Sequence, residues 1–457
     1  MSRLPLVSLI AANTISGLGN MLTMIAVPWF VLETTGSPAR AGLIAVATRI
    51  AVIPASFVGG ALADRFGGRR VSVLGDLSSG ASVALVPLLY GVGALQLWHL
   101  FALMLVGAVL DHPGAVARSA LLPELADRGR VRYERANAAE QGSTFSVEIL
   151  GAPFAGLLIT LFGAVNVLWF DAVTFAVSAL VVALLVPAVP REARVQEPVF
   201  AHAIEGWRFI RRDRLISWLL LTSTVSNFVL APLGAVLIPL YALQEFDDPA
   251  RFGLIVGVGS AGALLGSLFF GAVGPRLPRR ATYLSVYATT CLLWLVLSFV
   301  PPFAIVAASF GVFSFLVATV NPLLQTIRQE RVPAELRGRV FGTSLAVVLL
   351  ASPIGLLLGS VLAELGGLRA GFLFGLAGYT AITIGAILNP ALREMDLRRE
   401  RAEVFESAAE QVLPEVEQPG PEARRVDLAP PLSGARQALE RANEDCELEV
   451  DLRDSSR

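Results

Sequence analysis

Pro38-Ala39-Arg40-Ala41-Gly42-Leu43-Ile44 returns as Pro249-Ala250-Arg251-Phe252-Gly253-Leu254-Ile255, identical at all but one position. At the same offset Pro28 maps to Pro239, Gly60-Ala61 to Gly271-Ala272 and Arg65 to Arg276. Further along, Arg128-Gly129-Arg130-Val131 is echoed by Arg337-Gly338-Arg339-Val340. The chain therefore carries an internal repeat, and the unit that repeats sets the architecture.

The segments around these stretches are long and apolar. Leu4 to Leu32, Leu215 to Gln244, Phe252 to Pro275, Val340 to Ala363 and Ala370 to Leu392 contain no Asp, Glu or Arg. About 20 apolar residues cross a bilayer, so each run predicts one spanning helix. The run from Ala281 to Ile327 is cut by Pro301-Pro302 and predicts two helices joined by a tight turn. In the first half single charges interrupt the pattern, with spans expected near 41 to 63, 71 to 91, 97 to 118, 138 to 161 and 165 to 187. Twelve spans, six per repeat, predict an all-α membrane protein. An even number per repeat brings both copies in from the same face, related by an axis along the membrane normal. The expected organisation is a six-helix bundle over 1–190, a linker over 191–214, a second bundle over 215–392 and a tail over 393–457. The tail holds Pro414, Pro419, Pro421, Pro430 and Pro431 among mixed charges, which predicts one fraying helix followed by disorder.

Composition excludes several classes. Of 457 residues, 54% are hydrophobic and only 16% charged, where soluble globules carry about 25%. A net charge of -1 offers no field for nucleic acid. Cys291 and Cys446 form no metal motif, His99, His112 and His202 form no i,i+4 pair, and no nucleophile elbow occurs. No enzyme, metal or cofactor is expected.

Every basic residue is an arginine, and their placement orients the chain. Arg3, the 65–70, 118–135, 276–280 and 328–339 loops and the 191–214 linker hold most of those in and between the spans, whereas the opposite loops hold Arg40, Arg251 and Arg369. Basic loops stay in the cytoplasm, so both termini are expected there, with the chain a multi-pass protein of the cell membrane. Two parallel-related halves suit rocking about a central site, the geometry of alternating access.

Gly60-Ala61-Leu62-Ala63-Asp64-Arg65-Phe66-Gly67-Gly68-Arg69-Arg70 resembles the signature loop between helices 2 and 3 of the major facilitator superfamily. Pro28-Trp29, Thr35-Gly36-Ser37-Pro38, Leu122-Pro123-Glu124-Leu125, Arg135-Ala136-Asn137 and Asp171-Ala172 with Phe175 and Ser178 are similar to its twelve-span drug-proton antiporter branch, which includes macrolide-efflux and siderophore-exporter proteins. Gly151, Pro153 and Gly156 resemble the antiporter glycine-proline motif of helix 5. The resemblance runs from about Leu9 to Leu392. It implies that the signature loop, through Gly60, Asp64, Arg65, Gly67 and Arg69, latches onto helix 11, expected to start near Phe341. An anion in that loop can sit at the helix N-terminus, where free amides and the dipole stabilise it. The resemblance also makes Asp171 structural.

Ionisable residues at membrane depth are costly and mark function by default. Here they fall in the first half: Arg49 in helix 2, Asp76 in helix 3, Asp111 and His112 in helix 4, Glu148 in helix 5 and Asp171 in helix 6. Glu148 and Asp111 both fall near mid-membrane and can share a proton, with Arg49 as a switchable counter-ion; alternatively Asp111 caps or kinks helix 4 beside Pro113 and the others form static pairs. The second-half helices read as charge-free through their middles. Asn20, Phe145, Asn227, Phe228, Phe313 and Gln325 are candidates for the wall of a central cavity.

The function expected is proton-coupled export of amphipathic small molecules by a monomer. The partners are that substrate, protons and the lipid bilayer, with no nucleic acid. The alternatives are an exporter or flippase of a dedicated solute, such as a siderophore or lysophospholipid, and a transporter-like sensor signalling through its tail. A fixed binding charge favours a dedicated ion, whereas a charge-free second half suits adaptable apolar cargo.

Overall fold

The computed structural model describes residues 3–187 and 199–395, and of these the side chains of 52–54, 56–61, 63–64, 199–203 and 275 are outside the description. The expected linker therefore enters the description only from Val199, and the tail only to residue 395.

Six helices make up the first half: α1 (Leu4–Thr35), α2 (Pro38–Phe66), α3 (Gly68–Gly91), α4 (Leu97–Arg128), α5 (Tyr133–Phe162) and α6 (Ala164–Leu185). Short turns connect them, and their chemistry is local. At the end of α1, Gly36 adopts a left-handed φ of 62° and its N–H closes onto the Leu32 carbonyl. Pro38, next in the chain, cannot donate and begins α2.

An amphipathic helix, α7 (Val199–Arg212), follows. Gly206 packs so closely on the Arg339 backbone that a Cβ there would lie 2.5 Å from its carbonyl oxygen. Glu205 forms an ion pair with Arg339. Asp213 then caps α8 (Arg214–Pro232), its carboxylate accepting from the Leu215 and Ile216 amides at 3.0 Å each.

The expected single span over 215–244 is built in three pieces. Pro232 lacks an N–H, and the helix widens into a π-type turn over Leu233–Leu237 before α9 (Ile238–Phe246) resumes. Next come α10 (Pro249–Val273), α11 (Arg279–Leu297) and α12 (Phe303–Arg331). The α11–α12 turn falls at Pro301-Pro302, as the sequence predicts. The repeat is visible in register: Pro38 begins α2 and Pro249 begins α10.

The stretch α13 (Arg337–Leu388) holds 52 residues, which as one rod measures about 78 Å, more than twice a hydrocarbon core of about 30 Å. It folds back at Gly367, whose φ of 70° and ψ of -177° break the helix into two arms. Counting both arms and α2, twelve helices span, arranged as two sets of six. Outward-facing leucines such as Leu150, Leu161, Leu184, Leu268 and Leu388 are at least 61% exposed and form the lipid-facing surface.

Two helix limits differ from expectation. The span expected to end at 118 continues to Arg128, so Arg118 is not in a loop but inside α4, only 4% exposed. Likewise Arg328 belongs to the last turn of α12 rather than to a 328–339 loop. In both cases an arginine bordering an arginine-rich stretch reads as a loop charge in sequence, because the partner that draws it inward is distant in the chain.

One end of the molecule carries the arginine-rich turns at 65–70, 128–133, 276–280 and 331–337. The other is arginine-poor, and there the first six helices meet the second six most intimately. A Cβ on Gly156 of α5 would lie 2.6 Å from the Pro249 carbonyl oxygen of α10, and one on Gly253 would lie 2.3 Å from that of Ala152. Beside them, a Cβ on Gly42 of α2 would lie 2.2 Å from Ser360 Oγ in the first arm of α13. Small residues let these helix backbones touch.

Candidate functional site

Polar side chains within the first six helices gather where glycines let helices approach. Gly75 of α3 lies against α4, where a Cβ would meet the Leu110 carbonyl oxygen at 2.9 Å. At this crossing Arg118 Nη1 donates to Asp76 Oδ1 at 2.6 Å and to Ser72 Oγ at 3.3 Å. Ser178 of α6 donates to the other Asp76 oxygen at 2.7 Å. Asp76 is fully buried, and a buried charge is retained only when paired and hydrogen-bonded. Asp76, Arg118 and Ser178 thus bind α3, α4 and α6 together.

A second node joins α1 to α6. Gly19 leaves room for Asp171, which accepts from the Thr23 hydroxyl; Thr174 donates to the Asp171 carbonyl at 2.7 Å and its carboxylate at 3.3 Å. Asp171 is fully buried and neutral hydroxyls are its hydrogen-bond partners.

Asp111 is different. Asn20 Nδ2 reaches its Oδ2 at a long 3.4 Å, while Oδ1 is buried with no partner among the described residues. His112 Nδ1 beside it is likewise buried and unpartnered. Here α4 runs unbroken through Pro113. Two expected site residues, Asn20 and Asp111, are thus brought together. Glu148 lies half-buried on α5 and Arg49 is exposed on α2; among the described residues neither has a hydrogen bond or ion pair, and neither joins Asp111. Phe145 lies half-buried on α5. An acid the sequence analysis passed over, Glu140, accepts from Asn13 at 2.8 Å and keeps its other oxygen buried without a partner.

A cavity of about 430 Å³ opens within the second six helices. Asn227 and Gln325 line it, as do Asn321, Tyr287, Tyr379 and Arg328. Phe228 and Phe313, expected beside them, pack behind this wall: Phe228 against Phe374 with ring centroids 5.4 Å apart, Phe313 edge-on to Tyr379 at 6.5 Å. The helix middles of the second half carry no charge among the described residues, as expected, but Arg328 reaches the cavity from the last turn of α12. Its Nη2 donates across to α8, to Ser223 Oγ at 2.7 Å and the Leu219 carbonyl at 3.3 Å.

Of the signature loop, Gly60 and Asp64 fall in α2 where side chains are outside the description. Gly67 has φ 85° and turns the chain into α3; Arg65 lies over the Phe66 ring at 5.3 Å. Arg69 donates to the Ala183 carbonyl near the end of α6, a contact within the first six helices. The helix expected to receive the latch starts at Arg337.

At the arginine-poor end Glu364 of α13 accepts from the Ser37 hydroxyl at 2.5 Å and from the Ala39 amide at 2.9 Å. It caps the start of α2 from the opposite half, a contact with no short-range sequence signal.

Twelve helices in two related sets, with a polar-lined cavity and buried charges at helix crossings, define a secondary-transporter fold. A sequence profile of the Major Facilitator Superfamily matches residues 9–247 and 224–419, and the chain belongs to that family. It is 32% identical over 399 residues to multidrug efflux pump Tap of Mycolicibacterium fortuitum, covering 86% of this chain and 97% of that one. Macrolide efflux protein A of Streptococcus pyogenes is 23% identical, over 84% and 95% of the two chains. The crystal structure of the nucleoside transporter NupG superposes with a TM-score of 0.71 at 12% identity, covering 86% and 99%.

Proposed function

We propose that this protein exports amphipathic small molecules of the drug or macrolide type by alternating access, driven by proton entry. The observation that carries this is a cavity of drug-accommodating size, lined by both amide and apolar side chains, in a molecule sealed backbone-to-backbone at one end. The names of the Tap and macrolide-efflux relatives support the cargo class. In this reading the bundles over 1–190 and 215–392 rock as units, the arginine-rich end with both termini faces the cytoplasm, and one copy suffices. Asp111 and Glu148 carry the proton, with Arg49 as counter-ion. The unpartnered oxygen of Asp111 and the unpaired Glu148 are what an exchangeable acid needs, in contrast to the saturated Asp76. The loop holding Gly60, Asp64, Arg65, Gly67 and Arg69 governs closure at the arginine-rich end.

The test is uptake of a radiolabelled macrolide into everted membrane vesicles under an imposed pH gradient. Wild type accumulates the label. Glu148→Gln and Asp111→Asn lose uphill accumulation while retaining counterflow exchange. Uphill accumulation unchanged in both variants removes these acids from coupling; no gradient-dependent uptake in wild type removes proton-driven macrolide export.

A further inference from the structure

We propose that Arg328, with Ser223 and the Tyr287–Tyr379 wall, forms a subsite that takes the acidic group of a flat, conjugated amphipathic molecule: a carboxylate, sulfonate or enolate. The proposal rests on the cavity being where the exported molecule binds.

The argument starts from an unneutralised cation. Two neighbouring arginines are matched to acids, Arg331 to Asp213 at 2.5 Å and Glu394 at 2.6 Å and Arg279 to Glu330 at 2.6 Å, while Arg337 bonds the nearby Val332 carbonyl at 3.1 Å and does not line the cavity. Arg328 has neutral hydrogen-bond partners, both on α8, and no ion pair among the described residues. The side chains beside it in the cavity, Asn227, Asn321 and Gln325, are neutral amides, and no Asp or Glu is among the described residues lining the space. A guanidinium offers five donors in a planar fork, and the two contacts come from one of its nitrogens, leaving donors for a bidentate acid. Arg328 does lie in the last turn of α12, where a cation is favoured by the helix dipole. Yet it reaches away from its own helix end and across to α8, which the dipole does not require.

The second observation is the shape of the opposite wall. Tyr287 and Tyr379 lie with centroids 6.1 Å apart and planes 33° from parallel, and Trp294 stacks behind Tyr379 at 6.2 Å. Such a braced aromatic surface accepts a flat ring system, and Arg328 stands beside it on the same cavity. Ser226 lines the space too, its hydroxyl beside those of Tyr287 and Tyr379. A cationic group at this position would meet like charge, so a macrolide, whose amine is protonated near neutral pH, binds with that amine turned away from Arg328.

The test uses 1-pyrenebutyrate and its neutral analogue 1-pyrenebutanol, which share one flat body. Binding to the full chain in lipid nanodiscs, without any gradient, is read by tryptophan-to-pyrene energy transfer, with protein-free nanodiscs as the blank. Wild type is expected to bind the acid about tenfold more tightly than the alcohol. Arg328→Gln is expected to remove that preference and leave the alcohol within about twofold, while Arg328→Lys keeps part of it. Equal binding of the two probes by wild type overturns the proposal, as does an Arg328→Gln variant that keeps the preference. The wild-type comparison decides the matter even where the variant does not fold. Because nothing is transported, an acid preference in nanodiscs alongside failed export from wild-type vesicles overturns the export reading alone.

Discussion

At the scale of single residues, the contrast that organises this molecule is between saturated and unsaturated charge. Asp76 has both oxygens engaged, by Arg118 and Ser178, and is fully buried. Removing one partner strands the other, so Arg118→Ala is expected to cost about 3–5 kcal/mol, read as a fall in melting temperature and in monodisperse yield from detergent. The double variant Asp76→Asn/Arg118→Gln, which removes both charges, is expected to be more stable than Arg118→Ala; the reverse order would mean that the pair is not a buried ion pair. The resemblance marks Asp171 as structural, and Asp76 stands out in sequence as an acid within an apolar run. Sequence reading missed Arg118, inside α4, and Arg328, in the last turn of α12, because each borders an arginine-rich stretch where topology alone accounts for an arginine, and their partners are 42 and 105 residues away in the chain. Asn20 was listed for the cavity on composition and proves to reach Asp111, a pairing no spacing rule reveals.

At the scale of elements, two helix ends do conspicuous work. The start of α2 is capped from the other half by Glu364, through Ser37 and the Ala39 amide. Glu364→Ala removes a charge-assisted cap at an exposed site, and a loss of about 1 kcal/mol moves a two-state equilibrium about fivefold. The expected result is faster maleimide labelling of Leu356→Cys, a fully buried position beside Gly42, in a background lacking Cys291 and Cys446. Labelling that stays at the parental rate would show that Glu364 does not hold this end shut. The fold-back of α13 depends on Gly367, whose backbone lies in a region open essentially to glycine alone. Gly367→Ala is expected to destabilise by about 1–3 kcal/mol, measurable as a lower detergent melting temperature, whereas Gly342→Ala earlier in α13, with no positive φ and open space for a Cβ, is not. The turn at Pro301-Pro302 was legible because its residues dictate local geometry. The π-type turn over Leu233–Leu237 was not, since Pro232 is compatible with a kink, a break or a widened turn, and packing chooses among them.

At the scale of the whole molecule, the duplication was readable from one heptapeptide, and the span count followed from charge-free runs. The compact unit spans Met1–Leu397. A chain ending at Leu397 is therefore expected to insert and accumulate labelled macrolide in vesicles at the full-length rate; loss of transport with intact insertion would assign the tail a working role. What sequence could not supply was which end is shut, because that depends on backbone approaches between helices from different repeats. Those approaches carry a consequence for release. The seal between α5 and α10 brings Gly156 and Gly253 directly onto the carbonyls of Pro249 and Ala152. Parting it uncovers the Pro249 and Ala152 carbonyl oxygens, each with a lone pair that water can fill, beside buried apolar side chains such as Phe252 and Ile255. Backbone oxygens exposed in this way give water a foothold that a seal of leucines alone would not.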